Sequence, residues 1–117
     1  MANGIVVTGG TNPWALGVNR EIIPANTITT MYDIHYVVFE EASVADTYEF
    51  VLYSGLSGEE VEVGRVRTVK DSNQSGPVRV PIQIPAQLAN KRLSAKVASK
   101  SGGGDTVTIS LMYHSYD

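Results

Sequence analysis

A chain of 117 residues and 12.6 kDa has the length of one domain, and 43% hydrophobic with 18% charged residues is a globular rather than a disordered composition. The absence of cysteine excludes disulfides, thiolate nucleophiles and cysteine-based zinc or iron–sulfur sites, and two histidines are a small stock for acid–base or metal chemistry. A net charge of −3 is too small to point to nucleic acid or to an anionic membrane, so the first expectation is a noncatalytic protein with no cofactor and no metal.

The first ten residues, MANGIVVTGG, hold no Lys or Arg and no apolar run beyond Ile5-Val6-Val7, so neither a secretory signal nor a transit peptide is expected. No segment reaches the roughly eighteen apolar residues that span a bilayer. Ile5 to Thr8 reads as a short strand. An irregular arm with the only tryptophan, Trp14, follows it, and residues 1–20 are expected to belong to the same domain as a β-sandwich over 21–117. Trp14 has two expected roles: a plug in the open end of the sandwich, or an anchor on a neighbouring subunit.

Glu21 to Ile23 is a second short strand. Thr27 to Glu40 reads as a long strand or a bent pair, with Ile28, Tyr32, Ile34, Tyr36 and Val38 on one face and Thr29, Met31, Asp33, His35, Val37 and Phe39 on the other. Tyr48 to Ser54 alternates next, and Ser54-Gly55-Leu56-Ser57-Gly58-Glu59 makes a turn into Val61 to Val69. There Arg65 and Arg67 fall on the parity of Val61 and Val63, which predicts a bulge near Gly64. The polar stretch Asp71 to Pro77 is expected as an exposed loop; its Asn73-Gln74-Ser75 matches a glycosylation acceptor formally and carries no weight without a signal peptide. Val78 to Ile84 is a clear strand with a proline inside it, which favours an edge or a bulge. Arg92 to Ser99 alternates with Leu93, Ala95 and Val97 inward and ends at a Ser101–Asp105 hairpin turn, and Val107, Ile109, Leu111 and Tyr113 mark the last strand. Eight short strands without a helical stripe predict an all-β, antiparallel two-sheet sandwich, jelly-roll or immunoglobulin-like.

Charge is segregated along the chain. Glu21 to Gly64 holds nine acids and no base, and Arg65 to Lys100 holds eight bases against the single acid Asp71. Either strands of the two runs interleave and pair across a sheet, or one surface is acidic and another basic so that copies dock head to tail. The basic candidates for an acidic partner surface are Arg79, Lys91, Arg92 and Lys96.

Chemical motifs are sparse. His35 and Asp33 alternate on one strand, the seed of a small hydrolase, but no G-x-S-x-G elbow accompanies them. Gly102-Gly103-Gly104 lacks the lysine and helix of a phosphate loop, and Glu40-Glu41 and Glu59-Glu60 lack the spacing of a calcium loop. The basic run has no aromatic residue for base stacking.

Val80-Pro81-Ile82-Gln83-Ile84-Pro85-Ala86, Lys91-Arg92-Leu93-Ser94-Ala95-Lys96-Val97-Ala98-Ser99, Ser101-Gly102-Gly103-Gly104-Asp105-Thr106-Val107 and Ile109-Ser110-Leu111 with Tyr113-His114 resemble segments of small β-sandwich virion structural proteins of tailed bacteriophages, as do Tyr48-Glu49-Phe50-Val51-Leu52 and Ser57-Gly58-Glu59-Glu60-Val61. The resemblance covers about half of the chain. It implies a capsid decoration (cement) protein on the outside of the virion, assembled in the host bacterial cytoplasm, a homo-oligomer and usually a trimer, whose partner is the major capsid protein lattice; the alternative is a receptor- or carbohydrate-binding domain of a tail or head fibre. Segregated charge, Thr-rich alternate faces and an arm that gains from multivalent attachment agree with the first reading.

Overall fold

The computed structural model describes residues 2–71 and 76–116. It contains eight strands and no helix among the described residues: β1 (Ala2–Thr8), β2 (Arg20–Ile23), β3 (Met31–Ala42), β4 (Asp46–Ser54), β5 (Val61–Lys70), β6 (Val78–Pro81), β7 (Leu93–Ser99) and β8 (Thr106–Tyr116). They form two antiparallel four-stranded sheets, a first sheet in the order β1-β8-β3-β6 and a second in the order β2-β7-β4-β5. The expected sandwich is therefore present, and its strand order is that of a jelly roll.

The topology is one folded ribbon. β1 pairs with β8, β2 with β7, β3 with β6 and β4 with β5, so an outgoing arm runs back antiparallel to itself and rolls into two layers. Val6 meets Thr108, Glu21 meets Ser94, Val38 meets Arg79 and Glu49 meets Arg67. The turn of the ribbon lies between β4 and β5, closed by the Glu59 amide donating to the Leu56 carbonyl (2.8 Å).

Between the layers sit the fully buried Tyr32, Phe39, Tyr48, Phe50, Leu52, Leu93, Val97, Ile109 and Leu111. Phe39 of the first sheet and Phe50 of the second meet edge to face, 6.0 Å between centroids. Each such side chain contributes on the order of 1.5–3 kcal/mol by leaving water. The two core tyrosines keep their hydroxyls bonded, Tyr32 donating to the Lys91 carbonyl (2.9 Å) and Tyr48 to that of Val44 (2.6 Å). Burial pushes both phenols up to about 12.

Three sequence expectations change. β3 does not alternate strictly: its register against β8 shifts between Ile34 and Tyr36 and again between Phe39 and Glu41, so Tyr32, Ile34, Val37 and Phe39 face the core while Tyr36 and Val38 turn outward. The Val78–Ile84 strand ends at Pro81, on an edge as its proline foretold, although Ile82 still reaches the core. The 101–105 segment is not a hairpin turn but carries the chain from the second sheet to the first. Asp105, buried there, accepts from the Ser99 and Ser101 hydroxyls (2.9 and 3.0 Å), and a Cβ on Gly102 would stand 2.1 Å from the Asn12 carbonyl carbon. The bulge expected near Gly64 is present: β5 shifts register where Leu52 pairs with Gly64 and Tyr53 with Glu62. A Cβ on Gly64 would lie 2.7 Å from Ile84, so the missing side chain makes room for the segment after β6. Asn73-Gln74-Ser75 lies outside the described residues.

Candidate functional site

On the outer face of the second sheet, the ribbon lays the acidic arm against the basic one. Glu49, on β4, accepts from Arg65 (2.6 Å) and Arg67 (2.9 Å) of β5, and Arg65 also reaches Glu62 (2.8 Å). Arg92 joins Glu21 (2.7 Å) and Glu60 (3.3 Å) and donates to the Gly55 carbonyl (3.1 Å). The Arg65 hydrogen bonds hold Glu62 below the usual carboxylate range. Glu60 is lowered by its own backbone amide first, and by Gly58 and Arg92. The interleaved-strand expectation for the two charge runs thus holds on this face. Trp14 completes it: its ring is stacked under the Arg67 guanidinium, Cζ 3.9 Å from the centroid, while its backbone amide donates to the Ser99 carbonyl. The ring does not plug the sandwich end.

The outer face of the first sheet is built differently. Its middle carries half-buried Tyr36, Val38 and Met112 and exposed Pro81, with Val6, Thr8, Thr106 and Thr108 toward one end. Each bulge in β3 inserts one unpaired residue, and each inserted residue is titratable. His35 is the first. Its Nε2 lies 3.0 Å from Asp33 Oδ1 without hydrogen-bond geometry, and its ring stacks on His114 at 5.6 Å. Tyr116 donates a hydrogen bond to Asp33, which raises its own pKa. Glu40 is the second. It accepts from Ser110 (2.9 Å) and stands beside the exposed Glu41, with no cation at ion-pair distance from either among the described residues. Shallow clefts along these carboxylates are bordered by Thr108, Thr106 and Pro77.

A larger cleft of about 630 Å³ opens at the loop end of the roll, where the β2–β3, β4–β5 and β6–β7 connections converge. Its floor is Gln87, buried and held rigid: backbone bonds in both directions to Tyr32, Oε1 accepting from Ser54 (2.6 Å), Nε2 donating to the Pro85 carbonyl (2.8 Å). Its walls are Leu56, Val61 and Leu88, and its rim carries Glu59 and Lys91. Neither Asp33 nor His35 borders this cleft or the two shallow ones.

The five candidate interface residues do not form one patch. Trp14, Arg92 and Lys96 (Nζ 5.3 Å from the Tyr53 ring) belong to the second sheet's side, and Arg79 lies over Tyr36 (5.0 Å) on the first. Lys91 lies on the loop-end rim. Arg92, whose side chain is only 12% exposed, has its charge met within the chain. Sequence reasoning named Glu40-Glu41 as an adjacent acidic pair but did not place it at a bulge, and it missed the loop-end cleft. For the bulge no local signal existed, because the apolar run Tyr36-Val37-Val38-Phe39 before the two acids fits either phase.

No family model matches the chain, and no curated protein sequence matches it.

Proposed function

We propose that the protein is a noncatalytic virion structural component, a capsid decoration protein that attaches as a homo-oligomer to the outside of a bacteriophage head and bridges neighbouring capsid subunits. The observation that carries this reading is the outer face of the first sheet. It is broad, sparsely charged and rich in threonine, valine and aromatic side chains, on a slab only 19 Å thick and 40 by 30 Å across. A flat lattice is met best by such a tile, because shape complementarity over its threonine, valine and tyrosine surface desolvates few charges, Glu40, Glu41 and Arg79 being set among uncharged neighbours. Jelly rolls recur in viral capsid and lectin domains, an analogy of fold that agrees with the reading. The same analogy, with the exposed Tyr113 and Tyr116 rings at one end of β8, favours carbohydrate or receptor binding at a fibre as the second reading.

The test is attachment to capsids that lack the protein. Purified wild-type chain is expected to co-sediment with them, and Thr108→Arg together with Val6→Asp on the first sheet's face to abolish attachment while the fold persists by circular dichroism. No attachment by the wild type, or full attachment by the variant, overturns the proposal; specific binding on a glycan array in its place supports the fibre reading.

A further inference from the structure

We propose that the loop-end cleft is the receiving half of a contact between two copies of this chain, and that the Val18–Arg20 stretch of the arm is the inserted half. The inference deepens the reading of the protein as a self-associating structural component and rests on it. Single exposed apolar side chains are ordinary on protein surfaces, but here Leu56, Val61 and Leu88, exposed by 55, 65 and 63%, converge on one concavity. The cleft has the volume of a ligand site and a rigid polar floor in Gln87, so it does not collapse to cover its own walls.

Charge selects the occupant. Of the ionic groups bordering the cleft, Arg92 is matched by Glu21 and Glu60, while Glu59 and Lys91 have no ion-pair partner among the described residues. One free charge of each sign disfavours a uniformly charged ligand, and the free carboxylate of Glu59 favours a segment that couples an exposed apolar side chain to an unmatched cation. Val18-Asn19-Arg20 is such a segment, whereas the adjoining Glu21 is already held by Arg92 of its own chain. Val18, at 79%, is the most exposed large apolar residue described, and Arg20 is exposed with no carboxylate at ion-pair distance among the described residues. Val18 inserted among Leu56, Val61 and Leu88 brings Arg20 to Glu59. Asn19 donates to Glu60 (2.9 Å) and Glu21 binds Arg92, so the inserted and receiving halves lie on contiguous surface of each molecule. A patch of that kind closes in pairs or around a ring.

Sedimentation velocity of the full chain at low salt tests the contact. Wild type is expected to self-associate, and Val18→Asp to do so about tenfold more weakly or worse. Arg20→Glu and Glu59→Arg each weaken association, and the double charge swap restores it. Because the chain has no cysteine, a mixture of Val18→Cys and Leu88→Cys proteins is expected to form a mixed disulfide on oxidation. A monomeric wild type, a Val18→Asp protein that associates normally, or a double swap no better than its singles overturns the proposal, as does a saccharide that fills the cleft without competing with association. Capsid attachment by Val18→Asp is scored separately. Weakened association with retained attachment supports the contact and leaves the virion reading standing; a wild type that self-associates through Val18 yet attaches to no capsid sinks the virion reading and not the contact.

Discussion

On the outer face of the second sheet, Glu21, Glu49, Glu60 and Glu62 all meet arginines of the same chain, whereas on the first sheet Glu40 and Glu41 meet no cation among the described residues and the surrounding surface is mostly hydroxyl, aliphatic and aromatic. One face has spent its charges internally; the other, the open face, leaves Glu40 and Glu41 unmatched among the described residues. The cause is topological. The ribbon returns the basic run alongside the acidic run in β4–β5 and β2–β7, but β6 brings only one base, Arg79, alongside β3 and sets it against Val38, while β8 sets Thr108 against Glu41. A net charge near zero therefore conceals two surfaces with different capacities for binding.

The strongest challenge to this picture removes what the faces share. Phe50→Ala is expected to cost about 3–5 kcal/mol, because it opens a cavity against Phe39 where the two sheets meet. Chemical denaturation followed by Trp14 fluorescence and by tyrosine near-ultraviolet dichroism should show one coincident transition; two separate transitions would mean that the sheets do not share a core. Next in size, Glu49→Gln removes the negative charge shared by Arg65 and Arg67, leaving Arg65 only Glu62, and is expected to cost about 1 kcal/mol in urea denaturation, a loss that shrinks near 1 M salt. Glu41→Gln on the other face should stay within about 0.5 kcal/mol. Equal losses at the two positions would erase the contrast.

A smaller effect comes from acid. Glu60 and Glu62 have folded pKa values below their unfolded ones, so their contribution is present above the ordinary carboxylate value of about 4.3 and is lost as the pH falls through the lowered folded values. Stability against urea should decline below about pH 4.5, and less steeply in Glu62→Gln. An unchanged slope would remove Arg65 as the cause. Least of all, Tyr116 should ionise above the ordinary tyrosine value of about 10 in spectrophotometric titration, and Asp33→Asn should return it there. An unshifted titration in wild type would remove Asp33 as the neighbour that holds this phenol.

Much of the fold was legible because period-two alternation is local. Leu93, Ala95 and Val97, and Val107, Ile109 and Leu111, face the core as their spacing requires, and the parity break at Arg65 announced the β5 bulge. The bulges of β3 were not legible, because Tyr36-Val37-Val38-Phe39 is apolar at every position and any phase satisfies it. Nor was the passage between sheets at 101–105, where a glycine run serves a tight turn and a close crossing equally well; what decides is Asn12-Pro13, distant in sequence and packed against Gly102. The loop-end cleft needed three connections brought together, and no single segment contains its pattern.

The ribbon also orders events in time. The turn between β4 and β5 joins strands a few residues apart, so that pairing closes the cheapest loop, and the β3–β6, β2–β7 and β1–β8 pairings each become short closures only after the one before them has formed. A chain built this way zips from its middle toward its ends. Substitutions at Leu56–Glu59 should then be felt in the rate of folding, and substitutions in β1 in the rate of unfolding. The outermost pair, β1 with β8, is the last to close, and it carries Val6 and Thr108 of the open face, so that face is completed only when the rest of the molecule is already in place.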